Sequence, residues 1–162
     1  MSLVSVSSSS SSSSVPGALL ATKQQLVFCY SSDLLDAAQF LAKELNTLYC
    51  RCIYNGTGDL PDQIDPTAVA WLVAHGSSNN TLIGTKQKKS YDMGTLVLPW
   101  CAQVGIKTAV DTCCEPSARK ALAQRSFSSI SYYCRQDDND VIAITGYTDV
   151  GVWWTANNMG GP

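Results

Sequence analysis

Ala68-Val69-Ala70-Trp71-Leu72-Val73-Ala74-His75-Gly76 is the stretch on which the fold turns. Seven apolar residues in a row, with no polar alternation, describe a strand covered on both faces, as in parallel sheets. The run stops on His75-Gly76 and gives way to Ser77-Ser78. Upstream, Leu26-Val27-Phe28-Cys29-Tyr30 repeats the pattern and ends in Ser31-Ser32-Asp33. Leu34, Ala38, Leu41 and Leu45 then fall at helical spacing, with Ser32 or Asp33 placed to cap the helix. Tyr49 to Tyr54 reads as the next strand, closed by Asn55-Gly56-Thr57-Gly58-Asp59.

Downstream, residues 77–91 are polar and lysine-bearing, the composition of a mobile surface loop. Met93 to Val104 reads as a helix interrupted at Pro99. Lys107-Thr108-Ala109-Val110-Asp111 is a further strand, ending at Thr112-Cys113-Cys114. A helix is expected from Glu115-Pro116 through Ala118, Ala121 and Leu122, since proline suits a first helical turn. Ser129 to Cys134 and Val141 to Tyr147 complete the expected strands. Strands alternating with helices predict an α/β fold: a three-layer sandwich around an open, mostly parallel sheet.

The 162 residues suit one domain, and 45% apolar against 15% charged residues supplies a core that needs no disulfide framework. Eleven basic against thirteen acidic residues leave a net charge of −2, with no basic stripe for a nucleic acid. The apolar runs fall short of the roughly 20 residues of a membrane helix. Ser31-Ser32-Asp33 is no glycine-rich phosphate loop, and no cofactor is expected. Seven cysteines, an odd number set mostly in apolar runs, read as free thiols of a reducing, cytoplasmic compartment. Cys50 and Cys52 share one strand face and read as small core residues. With one histidine and no C-x-x-C motif, no metal site is expected.

Residues 1–22 carry no charged side chain, and ten of the first fourteen are serine. Residues 1–24 are therefore expected to form a disordered tail ahead of a domain spanning 25–162. That start is also similar to organelle transit peptides and to the leaders of injected or secreted effectors, the alternative address.

In open parallel sheets, ligands bind beyond the carboxyl ends of the strands, where this chain carries His75 and Cys113. Imidazole can deprotonate a thiol near neutral pH, which makes the pair a candidate base and nucleophile. The N–H groups of Gly76 and Cys113 are candidate oxyanion donors, and a following helix N-terminus would favour the thiolate. Cys114 stands next in the chain as a second candidate nucleophile or a resolving thiol.

A hydrophobic strand ending in His75-Gly76, followed by one ending in Asp111-Thr112-Cys113, resembles the caspase-like cysteine peptidases: caspases, metacaspases, clostripain-like and gingipain-like enzymes and CHAT proteins. The resemblance spans about residues 25–147, and the Asp-Thr-Cys triplet looks most like the Asp-Ser-Cys of metacaspases. It implies a caspase-like fold and an endopeptidase acting on a protein or peptide. His75 would be its general base or acid, Cys113 its nucleophile and Gly76 part of the oxyanion hole. It further implies that Asp111 and Asp33 line an S1 pocket for Arg or Lys, although a helix cap also accounts for Asp33.

The chain departs from the family in its small size, in Cys114, and in lacking a subunit-processing site or a calcium-binding acidic cluster. Asp137-Asp138-Asn139-Asp140 reads as a solvated turn, and Trp153-Trp154 as core, an interface or a groove wall. Two other readings stay open: another cysteine hydrolase, amidase or deubiquitinase-like, on the same pair, and a non-catalytic flavodoxin-like or Rossmann-like binding module. The edge strands of such a sheet leave a dimer open.

Overall fold

A computed structural model of the chain describes residues 15–21 and 24–162. Its centre is a six-stranded sheet. Strands β1 (Gln25–Cys29), β2 (Cys50–Cys52), β3 (Val69–Val73), β7 (Thr108–Asp111) and β8 (Ser131–Arg135) run parallel, and the short β9 (Met159–Gly160) pairs antiparallel with β8. The order across the sheet is β2-β1-β3-β7-β8-β9. The chain steps from β1 outward to β2, then returns past β1 and builds the other way. The switch point between β1 and β3 opens a crevice at the carboxyl edge.

Side-chain alternation divides the core in two. Leu26, Phe28, Ala70, Leu72 and Ala109 pack on one face with Leu98 and Cys101 of α3 (Leu98–Gln103) and Leu122 of α4 (Ser117–Ser126). Val27, Cys29, Trp71, Val73 and Val110 pack on the other. There they meet Ala38 and Leu41 of α2 (Leu35–Glu44) and the tryptophans of α5 (Val150–Ala156). Both faces of β1 and β3 are covered, which is why those strands are apolar throughout.

Several expectations are corrected. Residues 77–91 are not an open loop: β4 (His75–Gly76), β5 (Thr81–Gly84) and β6 (Lys89–Asp92) form a small antiparallel sheet. Buried Leu82 and Tyr91 pair across it and anchor it to the core. No strand forms over 141–147; a 3-10 turn at Ile144–Gly146 buries Ile144 instead. Met93–Val97 is π-helical and runs into α3, where Pro99 is tolerated in the first turn. Cys52 is exposed and Cys50 only half-buried, because β2 is a sheet edge. The expected tail boundary also moves: α1 (Gly17–Leu20) buries Leu19, and Val15 is buried beside it, among the residues of the α2 side. Gln25 ties this segment down by donating to the Leu19 carbonyl at 2.5 Å. The remainder of the expected tail, residues 1–14 with 22 and 23, lies outside the described residues. Among the described residues, no helix is long and apolar enough to cross a membrane.

Candidate active site

Three adjacent strand ends meet at the carboxyl edge. β1 delivers Ser31 and Asp33, β3 runs into His75, and β7 runs into Cys113 and Cys114. The β7 end is stitched to β3 by Leu72, whose carbonyl accepts from the Thr112 N–H at 3.1 Å and the Thr112 hydroxyl at 2.8 Å. Gly76 permits the remaining approach. A Cβ there would lie 1.9 Å from the Cys114 carbonyl oxygen and 2.6 Å from its nitrogen. Only glycine lets the His75 strand and the cysteine turn lie so close.

His75 is half-buried, and its Nε2 pairs with Asp33 Oδ2 at 2.7 Å. Ser31 donates a second hydrogen bond to Asp33 from its side-chain hydroxyl, and the Thr85 hydroxyl lies 3.4 Å from both carboxylate oxygens. Burial opposes the Asp33 charge, but the bonds from Ser31 and His75 outweigh it and hold the carboxyl below its ordinary value. An ionised carboxylate only accepts, so Nε2 carries the proton, and the tautomer this bond selects is the one with its lone pair on Nδ1. Asp33 thus caps no helix, and its carboxylate is engaged by His75. Ser32–Leu34 is a 3-10 turn that aims the carboxylate at the histidine.

The two cysteines part company. Cys113 is 1% exposed and belongs to the core cluster of Tyr30, Ala74 and Ala109. Its thiol faces the Leu72 carbonyl at 3.6 Å, and its N–H donates to Asp111 Oδ1 at 2.9 Å. Burial, reinforced by the Asp111 charge, pushes that thiol well above its ordinary range. Cys114 is half-buried; its sulfur accepts from the Val141 N–H at 3.2 Å. Burial raises its pKa too, opposed by the bond to Val141. The expected nucleophile is therefore almost fully buried, and its N–H is held by a carboxylate. Among the described residues, His75 is hydrogen-bonded to neither sulfur.

Asp111 is also placed unexpectedly. It is fully buried, and Arg119, fully buried as well, grips it through Nε at 2.7 Å and Nη2 at 3.3 Å. The Tyr132 hydroxyl donates to the same carboxylate. No free charge remains there for a substrate cation. Arg119 extends to the Cys114 carbonyl at 2.8 Å and the Ser77 carbonyl at 2.9 Å, joining the cysteine turn to the histidine strand. Glu115 completes the turn in the left-handed region, at φ 52°. Helix α4 begins only at Ser117, so neither sulfur lies in its first turn.

A cavity of about 190 Å³ opens between this edge and the α2 side of the sheet. His75, Thr112, Cys113 and Cys114 border it, and Leu41, Val73, Ile144 and Trp153 form its apolar wall. Trp153 is fixed by its Nε1–H on the Ile142 carbonyl at 2.7 Å, whereas Trp154 packs edge-on against Trp71 in the core. Among the described residues, no group of three or more His, Cys, Asp or Glu is arranged to hold a metal ion. Arg119 and the Asp33 pairing carry no local sequence signature; only the strand-end positions of Asp33 and His75 hint at the second.

Fold and site together describe an α/β protein with a thiol and a carboxylate-oriented imidazole at the switch point of a mostly parallel sheet. No family model, curated protein or solved structure matches the chain.

Proposed function

We propose that the protein is a cysteine hydrolase of the caspase-like type, cleaving a protein or peptide substrate, with Cys114 as nucleophile. The observation that carries this reading is one cavity bordered by His75, oriented by Asp33, and by two cysteines of which Cys114 is the more exposed. Nδ1 of His75 takes the thiol proton as sulfur attacks the substrate carbonyl. The imidazolium so formed faces the Asp33 carboxylate and returns its proton to the leaving amine. Water, deprotonated by the same ring, then releases the acyl group. Of the two expected oxyanion donors, the Gly76 N–H remains a candidate, since that of Cys113 is held by Asp111.

Alkylation by iodoacetamide followed by peptide mass spectrometry tests the pair, with exposed Cys52 as the internal reference for an ordinary thiol. Cys114 should be labelled in a His75-dependent manner, while Cys52 is indifferent to His75→Ala. Equal loss of labelling at both sites, or labelling of Cys114 unchanged by His75→Ala, removes the basis for the dyad.

A further inference from the structure

We infer that the cavity beside His75 and Cys114 receives an uncharged, apolar side chain, that of leucine, methionine or phenylalanine, from the residue bearing the scissile carbonyl. The inference rests on the hydrolase reading for the word scissile, but its physical content is the cavity itself. Apart from its rim of His75, Thr112 and the cysteines, the wall is aliphatic or aromatic. Its volume of about 190 Å³ exceeds the ~150 Å³ of a dry apolar cavity that accommodates a benzene ring.

The two carboxylates that a basic substrate would need are both engaged. Asp111 is enclosed by Arg119 and Tyr132, and Asp33 holds His75. Neither borders the cavity. A guanidinium or ammonium entering it would lose its hydration without gaining a counter-charge, and an acidic side chain would fare no better. An apolar side chain loses only its contact with water, which favours entry. The position of the cavity suits this role, because one group filling it lies against the Cys114 side of the His75 strand end.

Two measurements on the full chain keep this inference separate from the hydrolase reading. In the first, N-acetyl-leucinamide and N-acetyl-argininamide are titrated at millimolar concentration while the methyl resonances of Leu41, Val73 and Ile144 are followed by NMR. The leucine compound should shift all three, the arginine compound none, and Ala37→Phe, which fills the cavity from α2, should abolish the response. Ile144→Ala, which enlarges the cavity, should instead move the preference toward N-acetyl-phenylalaninamide and serves if Ala37→Phe does not fold. In the second, N-acylated aminomethylcoumarin substrates differing only at the residue before the amide are compared. Leucine, methionine or phenylalanine should exceed arginine and aspartate by at least about 100-fold in kcat/KM. Methyl shifts without turnover of any substrate would leave the cavity assignment standing and end the hydrolase reading. Preferred cleavage after arginine would do the reverse, and absence of methyl shifts with every apolar amide overturns the inference outright.

Discussion

His75 donates its Nε2–H to Asp33 at 2.7 Å across 42 positions of the chain, linking the ends of two neighbouring parallel strands. That bond fixes which ring nitrogen is free, and it turns a residue at an apparent helix start into the partner of a candidate base.

Replacing Asp33 with Asn removes the charge while keeping the shape. Turnover should fall by about 10–100-fold, because the imidazolium loses its counter-charge and the tautomer is no longer dictated. The same carboxylate contributes to folding. Its native pKa lies below the ordinary 3.8, so the folded state binds this proton less readily than the unfolded chain. The contribution is complete above 3.8, declines as pH falls through the native value, and is gone below it. Thermal unfolding across that acid range should show a shallower pH dependence in Asp33→Asn than in the wild type.

The cysteine pair is separated by two alanine variants. Cys114→Ala should abolish activity with the melting temperature almost unchanged. Cys113→Ala should keep activity but lose about 1–2 kcal/mol of stability, since it empties a close-packed core position. Denaturant titration and turnover read the two effects independently, and an inverted pattern would return the nucleophile to Cys113.

Cys114 also has a pH signature. Burial lifts its thiol above the ordinary 9.0, so without a base it ionises only in alkaline solution. In His75→Ala its alkylation rate should go on rising past pH 9, whereas in the wild type it should already rise near neutrality. Stopped samples analysed by mass spectrometry give both profiles.

Arg119 and Asp111 form a fully buried pair. Arg119→Met leaves an unneutralised carboxylate and should cost about 3–5 kcal/mol. Combining it with Asp111→Asn removes the stranded charge, so the double variant should be more stable than Arg119→Met alone. Urea unfolding of the four proteins closes the cycle, and strict additivity would mean that the pair is not coupled.

Gly76→Ala places a methyl 1.9 Å from the Cys114 carbonyl, which forces backbone to move. A loss of about 1–3 kcal/mol is expected, with a larger proportional loss of turnover because the His75 strand is pushed from the cysteine turn. Gly17, with nothing near its added Cβ, is the control: Gly17→Ala should be neutral or stabilising by under about 1 kcal/mol.

The amino-acid sequence by itself determined the strands at 25–29, 69–73 and 108–111, the mostly parallel α/β arrangement, and the presence of His75 and the cysteine turn at strand ends. Each rests on local pattern, since unbroken apolar runs bounded by polar turns carry their burial in consecutive residues. The tertiary structure decided everything that depends on which distant groups meet. Polar residues 77–91 gave no such run, yet Leu82 and Tyr91 find the core once the hairpin folds over it. Residues 141–147 were apolar enough for a strand, but the place beside the preceding strand β8 is taken by β9. Adjacent cysteines look equivalent in one dimension. Both border the cavity, but only Cys113 joins the core cluster, at 1% exposure, while Cys114 stays half-buried. A carboxylate's partner, likewise, is set by where the chain returns. Asp111 went to Arg119 and Asp33 to His75 because a charge removed from water must find the nearest donor that folding delivers.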